Sequence, residues 1–411
     1  MEKIIIRENY LAKIRPFYDS KYIKAITGVR RCGKSELLLQ IINELKASGI
    51  DDEHIIYLDL ESRTGEGITT RAALEKKLDE QINDDGKYYI FIDEIQRIKK
   101  FEEAIASIRI SYNCSLFVTG SNSKLLHGKL QDRLTGRAKE FEIFPFTYME
   151  TLEYKKLNGI EVKENDFDEY LALGGMPQRF EEIDEEGVRN YLTSVYDSII
   201  QKDVFETHKK INRNNFEQVS KYIISTTGKK FSALSIAKYL KESLTSDEQK
   251  KYSETVSNYA KYLEECYFLT ECKPYYLKGK ESLNGVKKYY AIDSGLRNAL
   301  GNVLELDDTF ALEGVVYHEL LSRGYEVRYG KFPDGEIDFV AIKNRKKCLI
   351  QVTYSLNTQT VFEREYGAFL KISDNSPKYV MSLDKKDTSN NGITHINVID
   401  FLLGKIDFYL S

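Results

Sequence analysis

Gly28 to Ser35 read Gly-Val-Arg-Arg-Cys-Gly-Lys-Ser, a run whose residue types can hold a polyphosphate. A glycine-bounded loop that turns into a helix start points its backbone N–H groups inward, where the helix end already favours negative charge. Lys34 reaches the terminal phosphates, and the Ser35 hydroxyl is placed to ligate Mg²⁺. Gly28, Arg31, Cys32, Gly33, Lys34, Ser35 and Glu36 are therefore the expected nucleotide contacts. Further along, Tyr88 to Glu94 (YYIFIDE) is an apolar run that ends in two acids. At a strand end beside the loop, Asp93 can hold the Mg²⁺ shell, and Glu94 can orient and deprotonate an attacking water.

Two further groups complete the candidate chemistry. Leu116 to Thr119 leads into Gly120-Ser121-Asn122-Ser123, where Asn122 first, and Ser121 second, can hydrogen-bond the γ-phosphate or the water. Arg133 and Arg137 lie in DRLTGR, and Arg137 is the candidate arginine finger. Such a residue usually comes from a neighbouring subunit and accelerates phosphoryl transfer by on the order of three to five decades. A surface ion pair is the competing use for either arginine.

The elements that must carry these residues follow from periodicity. Lys21 to Thr27 and Ile55 to Leu60 read as strands, and Ser35 to Leu45 has apolar residues at helical spacing. Alternating strand and helix patterns over residues 1–145 predict an α/β domain with a parallel sheet covered on both faces. Residues 146–228 turn helical, with runs at Tyr148–Lys156, Phe167–Leu173, Val188–Phe205 and Asn215–Ser225, and read as a lid. Inside it, Gly174-Gly175-Met176-Pro177 is either a helix stop or a place where Pro177 packs on the adenine. Residues 229–300 have the order helix, turn, helix, hairpin, with helices from Ser232 and Ser253 and strands over Phe268–Leu277 and Val286–Ile292. That is the order of a winged helix, whose second helix can enter a major groove or serve only as a packing module. Its acids Glu254, Glu264 and Glu265 oppose phosphate.

Composition narrows the class. The chain has 411 residues, a net charge of −4, five cysteines without a CxxC pair and six prolines. Neither a disulfide framework nor a zinc ribbon is indicated, and the overall charge does not announce nucleic acid. The pairs Lys229-Lys230 and Lys287-Lys288 and the run at 343–347 read as solvated faces. No apolar stretch is long enough to span a membrane and the start lacks a signal core, so a soluble, cytoplasmic protein is expected. The 29 tyrosines and 20 phenylalanines fall at core spacing beside Leu and Ile, and the five histidines lack paired ligand spacing.

Taken in order, GVRRCGKS, FIDEIQ, VTGSNS, LTGR with PFTYME, YLALGGMP, FSALSIAKYL, SNYAKYLEE, YYAIDSGLRNAL, LEGVVYHELLSRGYEV and GEIDFV resemble the large family of bacterial and archaeal AAA-type ATPases whose C-terminal half has a nuclease-like fold. The likeness spans nearly the whole chain. It implies an ATP-binding module, a winged helix and, over residues 301–411, a restriction-endonuclease-like α/β domain. Nucleases of that fold set Mg²⁺ between an Asp and a Glu on successive strands, in the pattern PD-(D/E)xK, with a Lys that helps activate water. Here Glu313 and Asp338 match, but Gln351 and Thr353 stand where Glu and Lys belong. A neutral amide is a weaker Mg²⁺ ligand than a carboxylate, and Thr supplies no cation. Glu336 and Lys331 can compensate only in part, so the domain reads as degenerate, kept for binding or assembly.

The resulting expectation is an Mg²⁺-dependent ATPase that converts ATP binding and hydrolysis into movement of its C-terminal half, acting on DNA or a protein, without a membrane partner and as a possible homo-oligomer. Its rivals are an ATP-gated DNA endonuclease using Glu313, Asp338 and Gln351, and a switch that binds ATP without turnover.

Overall fold

Short apolar strands separated by helices satisfy their backbone groups by pairing side by side under a cover of helices. The computed structural model describes residues 3–63, 65–123, 136–277, 286–300, 307–333 and 335–410. Contacts divide it into two compact units, one of residues 5–144 with 265–267 and one of 1–4, 145–264 and 268–411.

In the first unit, β1 (Ile23–Thr27), β2 (Ile55–Asp59), β3 (Tyr88–Asp93), β4 (Cys114–Gly120) and β5 (Ala138–Glu142) form a sheet in the order β2-β3-β4-β1-β5. Every pairing is parallel. β1 and β3 are buried along their whole length, as expected of strands covered on both faces. The helices Lys34–Ala47, Arg71–Asp79 and Phe101–Ser111 make the crossovers from β1 through β4. Leu37, Leu38, Ile41, Ile42 and Leu45 of the first helix are buried, which fixes its orientation on the sheet. Because all strands run the same way, the ends of β1, β3 and β4 deliver their loops to one edge, where open parallel sheets bind ligands.

The second unit begins with the helices Tyr148–Leu157, Asp166–Leu173, Glu185–Ile199 and Arg213–Ser225. A capping box joins Thr147 to Glu150, and Asp184 and Asn212 cap the later helices. Helices Ala233–Leu240 and Ser246–Glu265 follow. The second starts seven residues before the Ser253 read from the sequence, because Thr245 and Glu248 cap each other's backbone N–H. Ser253 lies inside that helix, and its hydroxyl donates to the Lys250 carbonyl.

The expected strand over Phe268–Leu277 is two strands. β6 (Leu269–Cys272) pairs antiparallel with β8 (Lys288–Ala291). β7 (Pro274–Tyr276) leaves to pair with β9 (Glu326–Phe332) at the edge of a larger sheet. Pro274 has no N–H to donate, which suits an edge. The larger sheet adds β10 (Gly335–Lys343), β11 (Lys346–Val352), β12 (Lys378–Ser382) and β13 (Ile393–Asn397), in the order β13-β12-β11-β10-β9-β7. β9, β10 and β11 are an antiparallel meander, and β11, β12 and β13 are parallel. The helix Asp308–Ser322 packs on this sheet through a core that includes Tyr317, Leu320, Phe339 and Ile350.

Candidate nucleotide-binding site

The loop after β1 has two positions, Gly28 and Gly33, whose backbone favours glycine. Gly28 has φ +143°, and a Cβ there would lie 2.3 Å from the Ile143 carbonyl oxygen. Gly33, at φ +99°, precedes the helix, and Lys34 is its first residue. Lys34 is buried, with Nζ donating to the carbonyls of Gly28 at 3.2 Å and Val29 at 3.1 Å and lying 3.7 Å from Glu94 Oε1. Cys32 is also buried, which raises its thiol above the ordinary value, while Arg31 is exposed at φ +67°. Burial raises the Glu36 carboxyl. Arg7, not singled out by the sequence, donates from Nη1 to the carbonyls of Cys32 (3.2 Å) and Phe144 (2.9 Å) and so braces the loop from behind.

At the end of β3, both Asp93 oxygens are held. The Thr119 hydroxyl donates to Oδ1, and the Tyr57 hydroxyl donates to Oδ2 at 3.1 Å. Burial raises the Asp93 carboxyl, and hydrogen bonds to Ser35 and Thr119 oppose that rise. The meeting of the Ser35 hydroxyl with the Asp93 carboxylate provides hard oxygen donors from two elements, a set that fits Mg²⁺. Glu94 takes a left-handed conformation at φ +57°, with its N–H given to Thr119 Oγ1 at 2.8 Å. Its Oε2 accepts from Gln96 Nε2 and from the Ser121 hydroxyl, the latter at 3.4 Å.

Lys34, Ser35, Asp93 and Glu94 thus come together. Ser121 makes the contact to Glu94, and Asn122 beside it is buried. Arg30 spans from Ser121, 3.4 Å away, to Glu61 at 3.1 Å. Arg137 is exposed just before β5, its carbonyl accepting from Ile23 N at 2.9 Å, and Arg133 lies outside the described residues. Pro177 opens a short 3₁₀ turn in the second unit. Tyr57, Thr119 and Gln96 were invisible as site residues in the sequence. FIDEIQ contains Gln96, but only the turn reveals that it reaches back.

The second unit gathers another polar cluster. Glu313, Glu336, Asp338, Gln351 and Glu365 line a cavity of about 500 Å³. Glu313 accepts from the Tyr290 hydroxyl at 3.0 Å, and burial, then Asp338, raises its carboxyl well above the ordinary range. Burial raises Asp338 to about 7. Gln351 accepts the Asp338 N–H at 2.7 Å and donates to Glu365 at 2.8 Å. Lys331 stands opposite Glu336 across the sheet, with its ammonium over the Tyr276 ring. Lys288, read as part of a solvated pair, is instead 2% exposed and lies 3.0 Å from Glu336. Despite its burial, the acids Asp338, Glu313 and Glu336 raise its ammonium above the ordinary value. Alternation along an extended chain explains the correction: Lys288 opens β8 facing Glu336, while Lys287 just before it pairs with Glu271. Among the described residues, no group of three His, Cys, Asp or Glu side chains is set to hold a metal ion, and no helix is long and apolar enough to cross a membrane.

Comparison with known proteins adds relatives. A family model described as an AAA domain matches residues 20–152, and one described as a domain of unknown function matches residues 164–308. An uncharacterized protein of Haemophilus influenzae is 32% identical over 403 residues, covering 97% of this chain and 99% of its own. One from Methanocaldococcus jannaschii is 30% identical over 367 residues, covering 85% and 78%. Similar solved structures include the Aeropyrum pernix ORC2 protein in ADPNP-ADP complexes (12% identity, 75% of this chain, 90% of that one, TM-score 0.36). AMPPCP-bound DnaA of Aquifex aeolicus is another, at 14% identity, 64% and 90% coverage and a TM-score of 0.32.

Proposed function

Because the chain belongs to the family of bacterial and archaeal AAA-type P-loop ATPases, we propose that it binds ATP at Gly28–Ser35 and hydrolyses it, using nucleotide state to reposition its C-terminal half against DNA or a protein partner. The observation that carries this reading is the meeting of Lys34, Ser35, Asp93 and Glu94 at the ends of β1 and β3. The loop N–H groups bind the phosphates, and Lys34 exchanges its loop carbonyls for the terminal phosphates. Ser35 and Asp93 would hold Mg²⁺, which when bound supplies positive charge beside the phosphates. Glu94 accepts the proton of the attacking water. Ser121 and Asn122 sense the γ-phosphate end, Arg137 acts as a finger toward a neighbouring copy, and Pro177 packs on the adenine.

Phosphate release measured on wild type, Lys34→Ala and Glu94→Gln tests the reading. Turnover is expected in wild type, with none in Lys34→Ala and only a small residual rate in Glu94→Gln. Equal release by wild type and Glu94→Gln would remove Glu94 from its role, and ATP binding without release in wild type would favour the non-hydrolysing switch.

A second reading, an ATP-gated endonuclease, draws support from the cavity that joins Glu313, Asp338 and Gln351. Against it, both ends of the Gln351 amide are already engaged by protein groups. We propose that this site does not cut. Plasmid nicked in the presence of Mg²⁺ or Mn²⁺ and ATP, with cutting lost in Asp338→Ala, would reverse that choice. A gel-shift panel of single- and double-stranded DNA, with and without non-hydrolysable ATP, distinguishes a DNA partner from a protein one.

A further inference from the structure

The surroundings of Glu94 divide its carboxylate into two differently held oxygens. Oε2 accepts from the Gln96 amide and from the Ser121 hydroxyl, and Gln96 Nε2 also reaches Ser121 Oγ at 3.2 Å. Oε1 faces Lys34 Nζ at 3.7 Å. Gln96 can reach back because Glu94 adopts φ +57° and starts the 3₁₀ turn Ile95–Arg97, which folds the second following residue over its own side chain. That backbone is pinned at both ends, with Glu94 N–H on Thr119 and the Glu94 carbonyl accepting from Arg97 N at 3.0 Å. Ser121 is in turn bonded by Arg30 of the phosphate loop, so the anchor and the loop share one hydrogen-bonded frame.

We infer that Gln96 is a positioning residue for hydrolysis: with Ser121 it anchors Oε2 of Glu94, and so leaves Oε1 as the oxygen that meets the water once Lys34 turns to the phosphates. This rests on the reading of Glu94 as the water-activating carboxylate. An anchored carboxylate is aimed before the nucleotide arrives, whereas a free one samples rotamers of which few are productive. Gln96 Nε2 is spent on Glu94 and Ser121, so its effect on the water passes through Glu94.

Steady-state ATPase kinetics, ATP affinity by calorimetry and melting temperature are measured for wild type, Gln96→Ala, Glu94→Gln and the double variant. The expected result for Gln96→Ala is a kcat lowered on the order of ten- to a hundredfold, with KM, ATP affinity and melting temperature unchanged. In the Glu94→Gln background, removing Gln96 has no further effect on residual turnover, because the two residues act as a unit. Loss of turnover in Glu94→Gln together with a normal kcat in Gln96→Ala overturns the inference alone. So does a Gln96→Ala defect that appears in KM or melting temperature, or that adds in full to that of Glu94→Gln. Normal turnover in Glu94→Gln overturns the Glu94 assignment and the inference with it.

Discussion

Gly28→Ala probes how tightly the phosphate loop is built. A methyl at this position sits 2.3 Å from the Ile143 carbonyl oxygen, so the two must part by about 1 Å to reach ordinary contact. Ile143 cannot simply retreat, because its N–H is bonded to the Thr27 carbonyl at 2.8 Å, continuing the β1 to β5 pairing. The backbone is also at φ +143°, where a side chain adds about 1–2 kcal/mol, and overpacking adds about 1–3 kcal/mol. If the loop holds its shape, the first unit loses about 2–5 kcal/mol, and its melting temperature falls by roughly 5–15 °C. If the loop yields, stability is spared, but N–H donors displaced by about 1 Å weaken phosphate binding by on the order of a hundredfold. Thermal melting and ATP calorimetry on the same preparation measure both quantities. A variant with wild-type melting and ATP affinity within twofold would refute the close-approach reasoning.

Other perturbations act on separate parts of the molecule. Arg137→Ala is expected to abolish hydrolysis while leaving ATP affinity intact; unchanged turnover removes Arg137 from the site. Lys288→Met leaves Glu313, Glu336 and Asp338 without their buried cation and is expected to cost about 3–5 kcal/mol, seen as a lower melting temperature of the second unit. That defect shrinks from pH 8 to pH 6 as Glu313 and Asp338, whose carboxyls are raised, take up protons, and a pH-independent defect would contradict the charge argument. Asp338 has its carboxyl raised from 3.8 to about 7, so the folded chain holds this proton more tightly than the unfolded one. The stabilisation is complete below about pH 4 and lost as pH rises through 7, at up to about 1.4 kcal/mol per pH unit from this proton. Asp338→Asn is expected to flatten the melting profile between pH 5 and 7, and an unaltered slope would place the titration elsewhere.

How much of this could be read in advance depended on whether a local backbone or a distant partner sets each residue's role. The phosphate loop was legible because its geometry demands glycine at Gly28 and Gly33, and the flanking strand and helix have distinct periods. Asp93 and Glu94 were legible as the polar end of an apolar strand. The anchoring of Glu94 was not, since it joins residues from the phosphate loop, the turn after β3 and the end of β4. Lys288 was misplaced because two adjacent lysines carry no mark of which one faces inward. The early start of the helix Ser246–Glu265 was written in Thr245 and Glu248, but the polar composition of that stretch read as a loop. Likewise Pro274, the first residue of β7, was absorbed into a longer apolar run.

The segment Gly174-Gly175-Met176-Pro177 had two readings, and the structure gives its glycines work within the second unit. A Cβ at Gly174 would lie 2.0 Å from an Asp293 oxygen, and one at Gly175 would lie 2.0 Å from the Phe146 carbonyl. Asp293 accepts from Gly175 N at 2.7 Å and from Leu296 N at 2.9 Å, locking the end of the helix Asp166–Leu173 to the start of the helix Ser294–Leu300. Backbone approach this close explains both glycines as a joint between helices, with Pro177 opening the 3₁₀ turn that follows. Gly174→Ala is therefore expected to lower the melting temperature of the second unit while ATP affinity stays normal. Pro177→Ala is expected to do the reverse, weakening a fluorescent ATP analogue with little effect on melting. Should Pro177→Ala leave that affinity unchanged, the segment is a helix joint throughout, and the adenine must be held by other residues.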